Sequence, residues 1–270
     1  MDLILTTSEH SKKGFTASTY DRMDEKTKQK LGELKLEKPI EVLFEGVDLN
    51  VYKKTSTIDK SITEELSSIK DDFCFLYVGH WLKGDIGQDR KDTGMMIKTF
   101  CESFKRKSPK NRPGLILKTS GAGFSIMDRT EVVNKIQSII MPYGDKAPNI
   151  YLIHGDLLDA EMNSLYNHPK VKAMVSFTKG EGYGRPLAEF AVTGKPIIAS
   201  GWSGQVDFLH KEYCALLPGQ LTQVHKSAAD RFIVKESQWF TVDYGYASQV
   251  IQDVMQNYKK YLEKSRKMTK

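Results

Sequence analysis

The sequence predicts an α/β protein built on a doubly wound parallel sheet. Three observations carry this expectation. Short runs of unbroken apolar character recur, residues 73–78 (FCFLYV) being the clearest, as expected of strands covered on both faces. Between them lie segments with apolar residues at helical spacing, such as 95–104 with Met96, Phe100 and Phe104 on one face. Glycine-rich or charged loops come after the strands, at the sheet edge where such folds bind ligands.

Taken in order, residues 3–6 read as a short strand, followed by a helix capped by Ser8. The stretch 21–38 is rich in Lys and Glu with sparse leucines, and reads as a solvated helix or a connector. A strand at 39–44 (PIEVLF) ends in the turn Glu45-Gly46-Val47-Asp48. Residues 55–71 are polar, with one short helix near Glu64, and read as a linker. From residue 72 the pattern becomes regular. Strands are expected at 73–78, 115–117, 150–153, 173–177 and 196–200, with helices at 95–104, from Asp128, at 156–166 and from Arg185. Residues 209–217 hold a helix end and a short strand. The tail 244–264 reads as one long helix with Tyr246, Val250, Val254, Tyr258 and Leu262 every four residues.

A chain of 270 residues, 40% hydrophobic and 27% charged, makes one large domain or a domain with an appendage. No run of apolar residues is long enough to span a bilayer. The apolar patch Leu3–Leu5 is too short for a signal peptide and lacks a basic lead. Cys74, Cys101 and Cys214 form neither a disulfide framework nor a metal spacing, so a reduced, cytoplasmic setting is expected. The formal charge of +6 suits a solubilising surface or an anionic substrate or partner.

The chemistry concentrates in residues 175–208. A strand leads into a loop carrying Glu181, Gly182, Tyr183 and Gly184, and Arg185-Pro186 opens a helix that contains Glu189. A helix N-terminus favours a diphosphate or carboxylate, and the glycines let a ligand approach backbone N–H groups. Two carboxylates can each accept from a sugar cis-diol; alternatively they complement the helix dipole. A second glycine turn, Gly201 to Gly204, follows the next strand. The loop at 79–92 brings Arg90 and Lys91 to a helix start, suited to neutralising a diphosphate. Lys118, ending a strand, is a further cation, and His154-Gly155 either faces a nucleobase or forms a tight turn. The GEGYG run is not a G-x-G-x-x-G and comes late in the chain, and no P-loop, H-E-x-x-H or nucleophile elbow is present.

Residues 176–207 resemble the retaining, nucleotide-sugar-dependent glycosyltransferases of the GT-B fold, in the glycogen-synthase-like and mannosyltransferase-like group. Their pattern E-G-F/Y-G-x-P-x-x-E-A stands here as EGYGRPLAEF, followed by VTGKPIIAS and GWSGQ. VGHW, RKD, PIEVLFEGVDLNVY and SEHSKK resemble further family segments, so the likeness covers nearly the whole chain. Residues 1–71 would then be a remnant of the acceptor domain plus the interdomain connector, and 72–270 the Rossmann-like donor domain, the C-terminal half of a GT-B fold. The resemblance implies that Glu189 binds the ribose, Glu181 the sugar hydroxyls, and Arg90 and Lys91 the diphosphate, with backbone N–H groups from Gly182, Tyr183 and Gly184. It also implies retention of configuration without a metal or other cofactor, the nucleotide-diphospho-sugar being the donor.

Three departures stand out. Phe190 replaces the usual alanine, Gly201 and Gly204 are split, and most of the acceptor domain is missing from this sequence. That half is expected on a second chain or elsewhere in a longer one. The acceptor is left open among a glycan, a lipid and a nucleic acid, and the source among viruses and bacteria. The competing readings are a non-catalytic nucleotide-sugar-binding subunit and an unrelated nucleotide-binding α/β enzyme.

Overall fold

The computed structural model describes residues 2–121 and 123–268. Six parallel strands form its centre: β5 (Cys74–Val78), β6 (Gly114–Lys118), β7 (Ile150–Ile153), β8 (Val171–Ser176), β9 (Ile197–Ser200) and β10 (Ala215–Leu217). Their order across the sheet is β10-β9-β8-β5-β6-β7. Counted within this unit, that is the doubly wound order 3-2-1-4-5-6, with its switch point between β5 and β8. The expected fold class is therefore the observed one.

The alternation of each strand divides the core in two. Phe75 and Tyr77 of β5 face α3 (Thr93–Phe104), α4 (Ile126–Ile140) and α7 (Tyr244–Gln256), packing with Met96, Phe100, Val132 and Ile251. Cys74 and Leu76 point the other way, into a cluster with Ile62 of α2 (Lys60–Glu65), Leu165 of α5 (Asp159–Asn167) and Phe190 of α6 (Arg185–Ala191). Both faces of β5 are buried, which is why its sequence does not alternate.

The N-terminal segment stands outside this sheet. β1 (Ile4–Thr6) pairs in parallel with β4 (Ile40–Val42), and α1 (Glu9–Ala17) starts at Ser8, whose hydroxyl accepts from the Ser11 N–H at 3.1 Å. The stretch expected as helix or connector is instead an antiparallel hairpin, β2 (Thr19–Met23) and β3 (Lys30–Lys35). Its apolar residues are sparse and exposed, and Asp24 closes the turn by accepting from the Lys26 and Thr27 amides. The charge-rich composition concealed the hairpin.

One other expectation is corrected. The tail is two helices, α7 and α8 (Tyr258–Met268), broken at Asn257 with φ −111° and ψ 34°. Its buried stripe is Ala247, Ile251 and Val254; Val254 is on the expected line, whereas Tyr246 is exposed. A second antiparallel pair, β11 (Gly219–Gln223) with β12 (Gln238–Val242), lies in residues the sequence reading left unassigned.

Candidate functional site

A cavity of about 700 Å³ opens at the carboxyl ends of β5, β6 and β8, over the switch point. The two loops that meet there are tied together through backbone. Lys179 N–H donates to the Arg90 carbonyl at 2.8 Å, and an Arg90 guanidinium nitrogen donates to the Gly180 carbonyl at 2.8 Å. Arg90, Lys91, Lys118, Glu181, Gly182, Tyr183, Gly184 and Glu189, all expected from the sequence, line this one cavity.

Glu181 sits between the cations. Lys91 Nζ hydrogen-bonds to Oε1, Arg90 lies 3.3 Å from Oε2, and the Thr178 hydroxyl donates to Oε1 at 2.7 Å. Burial pushes this carboxyl up, but Lys91 and Arg90 outweigh it and hold the group below the ordinary glutamate value. Burial lowers Lys91 despite the raising effect of Glu181. Arg90 remains 32% exposed at the cavity wall, against 11% for Lys91. Of the two cations on Glu181, Arg90 is the more open to an entering anion.

Glu189 lies on α6, 6% exposed. The Tyr166 hydroxyl donates to its Oε2 at 2.9 Å, and Arg185 Nε lies 3.1 Å from Oε1 one helical turn away. Arg185 is 72% exposed, so a hydroxylated ligand can displace it from the carboxylate. Desolvation raises Glu189 above its ordinary value, against the lowering effect of Tyr166 and Arg185.

Two glycines make the loop possible. Gly184 caps α6 at φ 101°, a backbone state that disfavours any side chain. Gly204 allows a close loop crossing: its N–H donates to the Glu181 carbonyl at 3.1 Å, and a Cβ there would fall 2.2 Å from the Gly182 oxygen. Gly204 thus shapes the loop without lining the cavity.

His154 and Gly155 do not line the cavity either. His154 Nε2 pairs with Asp128 Oδ2 at 2.7 Å, and the Gly155 carbonyl accepts from Lys118 Nζ at 2.7 Å. That turn serves to hold Lys118, whose ammonium is destabilised first by burial.

Sequence reasoning missed several participants. Tyr52 and Tyr166 bracket Glu189 and Asp159, the Tyr52 hydroxyl donating to Asp159 at 2.9 Å. His80 lines the cavity 3.1 Å from the Ser120 hydroxyl, and is lowered by burial and then by Lys91, Lys118 and Arg90. Beneath the site, Asp92 caps α3 in the left-handed conformation at φ 53°. Its Oδ2 accepts from Lys179 Nζ at 3.2 Å and from the Tyr244 hydroxyl at 2.6 Å; Asp92 and Lys179 are buried and Tyr244 is half-buried. Burial raises Asp92 to about 6, against the lowering effect of Lys179. Asp92 makes no side-chain cap on α3, so its place before the helix gave no signal of this pair.

At the level of sequence, neither a protein-family model nor a curated protein matches this chain. Solved structures match it in three dimensions. HepE from Anabaena, determined with UDP and glucose, superposes with a TM-score of 0.63 at 12% identity, over 99% of this chain and 57% of that one. Sucrose-phosphate synthase from Thermosynechococcus elongatus gives 0.60 at 16% identity, over 99% and 53%. TarM from S. aureus, determined with UDP, gives 0.60 at 12%, over 100% and 40%. The fold is that of the GT-B glycosyltransferases, with the six-stranded sheet as its Rossmann-like half. The chain spans little more than half the length of HepE or the synthase.

Proposed function

We propose that this chain is the donor-binding half of a glycosyltransferase that moves a sugar from a nucleotide-diphospho-sugar to an acceptor hydroxyl with retention of configuration. The observation that carries the reading is the meeting of Glu189, Glu181, Arg90 and Lys91 in one cavity at the switch point. In this reading Glu189 takes the ribose diol after Arg185 swings out. Arg90 and Lys91 take the diphosphate, and Glu181, released in part from them, accepts from sugar hydroxyls. The acceptor hydroxyl forms the new bond to the anomeric carbon as the bond to the diphosphate breaks. Its proton passes to a leaving phosphate oxygen, and Arg90 and Lys91 balance the developing charge in place of a metal.

An adjacent groove of about 800 Å³ shares Arg90, Glu181 and Gly182 with the donor cavity and carries Phe15, Tyr20, Trp202 and Trp239. We read it as the acceptor approach. Leu3, Leu5, Leu43 and Phe44, on or beside the isolated β1–β4 pair, are exposed. Their exposure supports an acceptor half supplied by further residues of the same protein or by a second chain. If that half is never supplied, the chain acts as a donor-binding subunit without transfer.

The test is a thermal-shift panel of UDP-, GDP- and ADP-sugars. At least one donor is expected to raise the melting temperature of the wild type, with the shift lost in Glu189→Ala. A panel without effect on the wild type, or equal shifts in the variant, overturns the assignment.

A further inference from the structure

We propose that the sheet edge opposite the donor cavity is a docking surface for an anionic lipid bilayer. In a parallel sheet, every segment running from a helix into a strand lies on the amino edge, while the donor cavity lies on the carboxyl edge. α8 crosses that same amino edge. Its first residue, Tyr258, packs on Phe73 just before β5 with ring centres 5.3 Å apart, and Ser265 donates to the Tyr213 carbonyl just before β10 at 3.2 Å.

The charge on this edge is one-sided. Lys170, Lys195 and Arg112 bond to main-chain carbonyls, Lys105 pairs with Glu102, and all four are set aside. The remaining helix-to-strand segments, with Glu263 and the lysines of α8, carry ten lysines and arginines against five carboxylates. Their surplus of +5 is most of the formal +6 of the entire chain. Two carboxylates beside these segments are already engaged. Glu102 holds Lys105 and Tyr143, and Asp253 holds Tyr261 and Asn257. None of this surplus faces the donor.

Its layout suits a lipid surface. α8 turns Tyr258, Tyr261, Leu262 and Met268 inward, while Lys259, Lys260, Lys264 and Lys267 are exposed along the other side. On the β6–β7 side, Arg106, Lys107 and Lys146 rim a concavity of about 1180 Å³. The six strand starts make this edge roughly 25 Å wide at the usual spacing. Lysines outnumber arginines, and the tyrosines of this edge are half-buried. Nucleic-acid sites instead favour forked arginines and exposed stacking rings. Diffuse lysine charge is what an anionic leaflet attracts. Docked this way, the protein holds its donor cavity facing away from the bilayer.

Co-sedimentation of the full chain with vesicles tests the surface, using phosphatidylcholine alone and phosphatidylcholine mixed with phosphatidylglycerol. Binding is expected only with phosphatidylglycerol, and is expected to weaken at high salt. Each basic residue near such a surface contributes about fivefold, so K259E/K260E/K264E should lose about a hundredfold in affinity. The same triple variant should unfold at the wild-type temperature. Equal binding to neutral vesicles, unchanged binding by the folded triple variant, or tighter binding to a duplex oligonucleotide than to the anionic vesicles overturns the proposal.

Discussion

At the scale of single residues, the cavity depends on charges held in pairs. Asp92 and Lys179 are both fully inside, so removing one partner strands the other in a poorly solvated interior. Asn tolerates the left-handed backbone that Asp92 adopts, so Asp92→Asn isolates the charge. We expect that substitution to cost about 3 kcal/mol in denaturant unfolding. Adding Lys179→Met should recover part of it; an Asp92→Asn protein as stable as the wild type would contradict the pairing. Lys195 gives a pH signature. Burial lowers its ammonium to about 7 while its Nζ donates to the Tyr166 and His168 carbonyls. Between that value and the ordinary lysine value the unfolded chain binds more protons, so the wild type gains stability as pH rises through this window. Lys195→Met should lose that gain, read as melting temperature against pH relative to the wild type. Phe190, the departure from the family pattern, has a structural reason: it is buried edge-on against Tyr166, at 5.6 Å, and so backs the ring that holds Glu189.

At the scale of elements, the loops matter more than the helices. The crossing of Gly204 under Gly182 leaves no space for a methyl group. Gly204→Ala should therefore shift the Glu181 loop and weaken donor stabilisation by roughly tenfold, the equivalent of about 1.4 kcal/mol. Unchanged donor affinity in a folded Gly204→Ala protein would remove the loop from the account. The strands and most of the helices of the sheet were legible because burial on both faces writes long apolar runs and helical stripes. The β2–β3 hairpin was not, because its side chains are mostly exposed and its composition imitates a charged helix. β11 and β12 were missed because β11 is mostly exposed and a long connection, not a tight turn, joins the two strands, so neither an apolar run nor a turn signal marks them.

At the scale of the whole molecule, the two edges of one sheet have been given different chemistry. The carboxyl edge gathers Glu181, Glu189, Arg90 and Lys91, and the amino edge gathers the surplus lysines. The sequence placed the site residues on separate strand ends, and parallel topology alone brought them together. It could not indicate that Arg90 and Lys91 would rest on Glu181, because those contacts span about ninety residues. That contact bears on mechanism, since an anionic ligand must compete with Glu181 for both cations.

Calorimetric titration of a nucleotide-diphospho-sugar into the wild type and Glu189→Ala tests the central claim most directly. A carboxylate bonded to a ribose diol contributes about 1.5–3 kcal/mol. The account predicts that the variant binds roughly ten- to a hundredfold more weakly, with its fold intact. Equal affinity in the two proteins would contradict it.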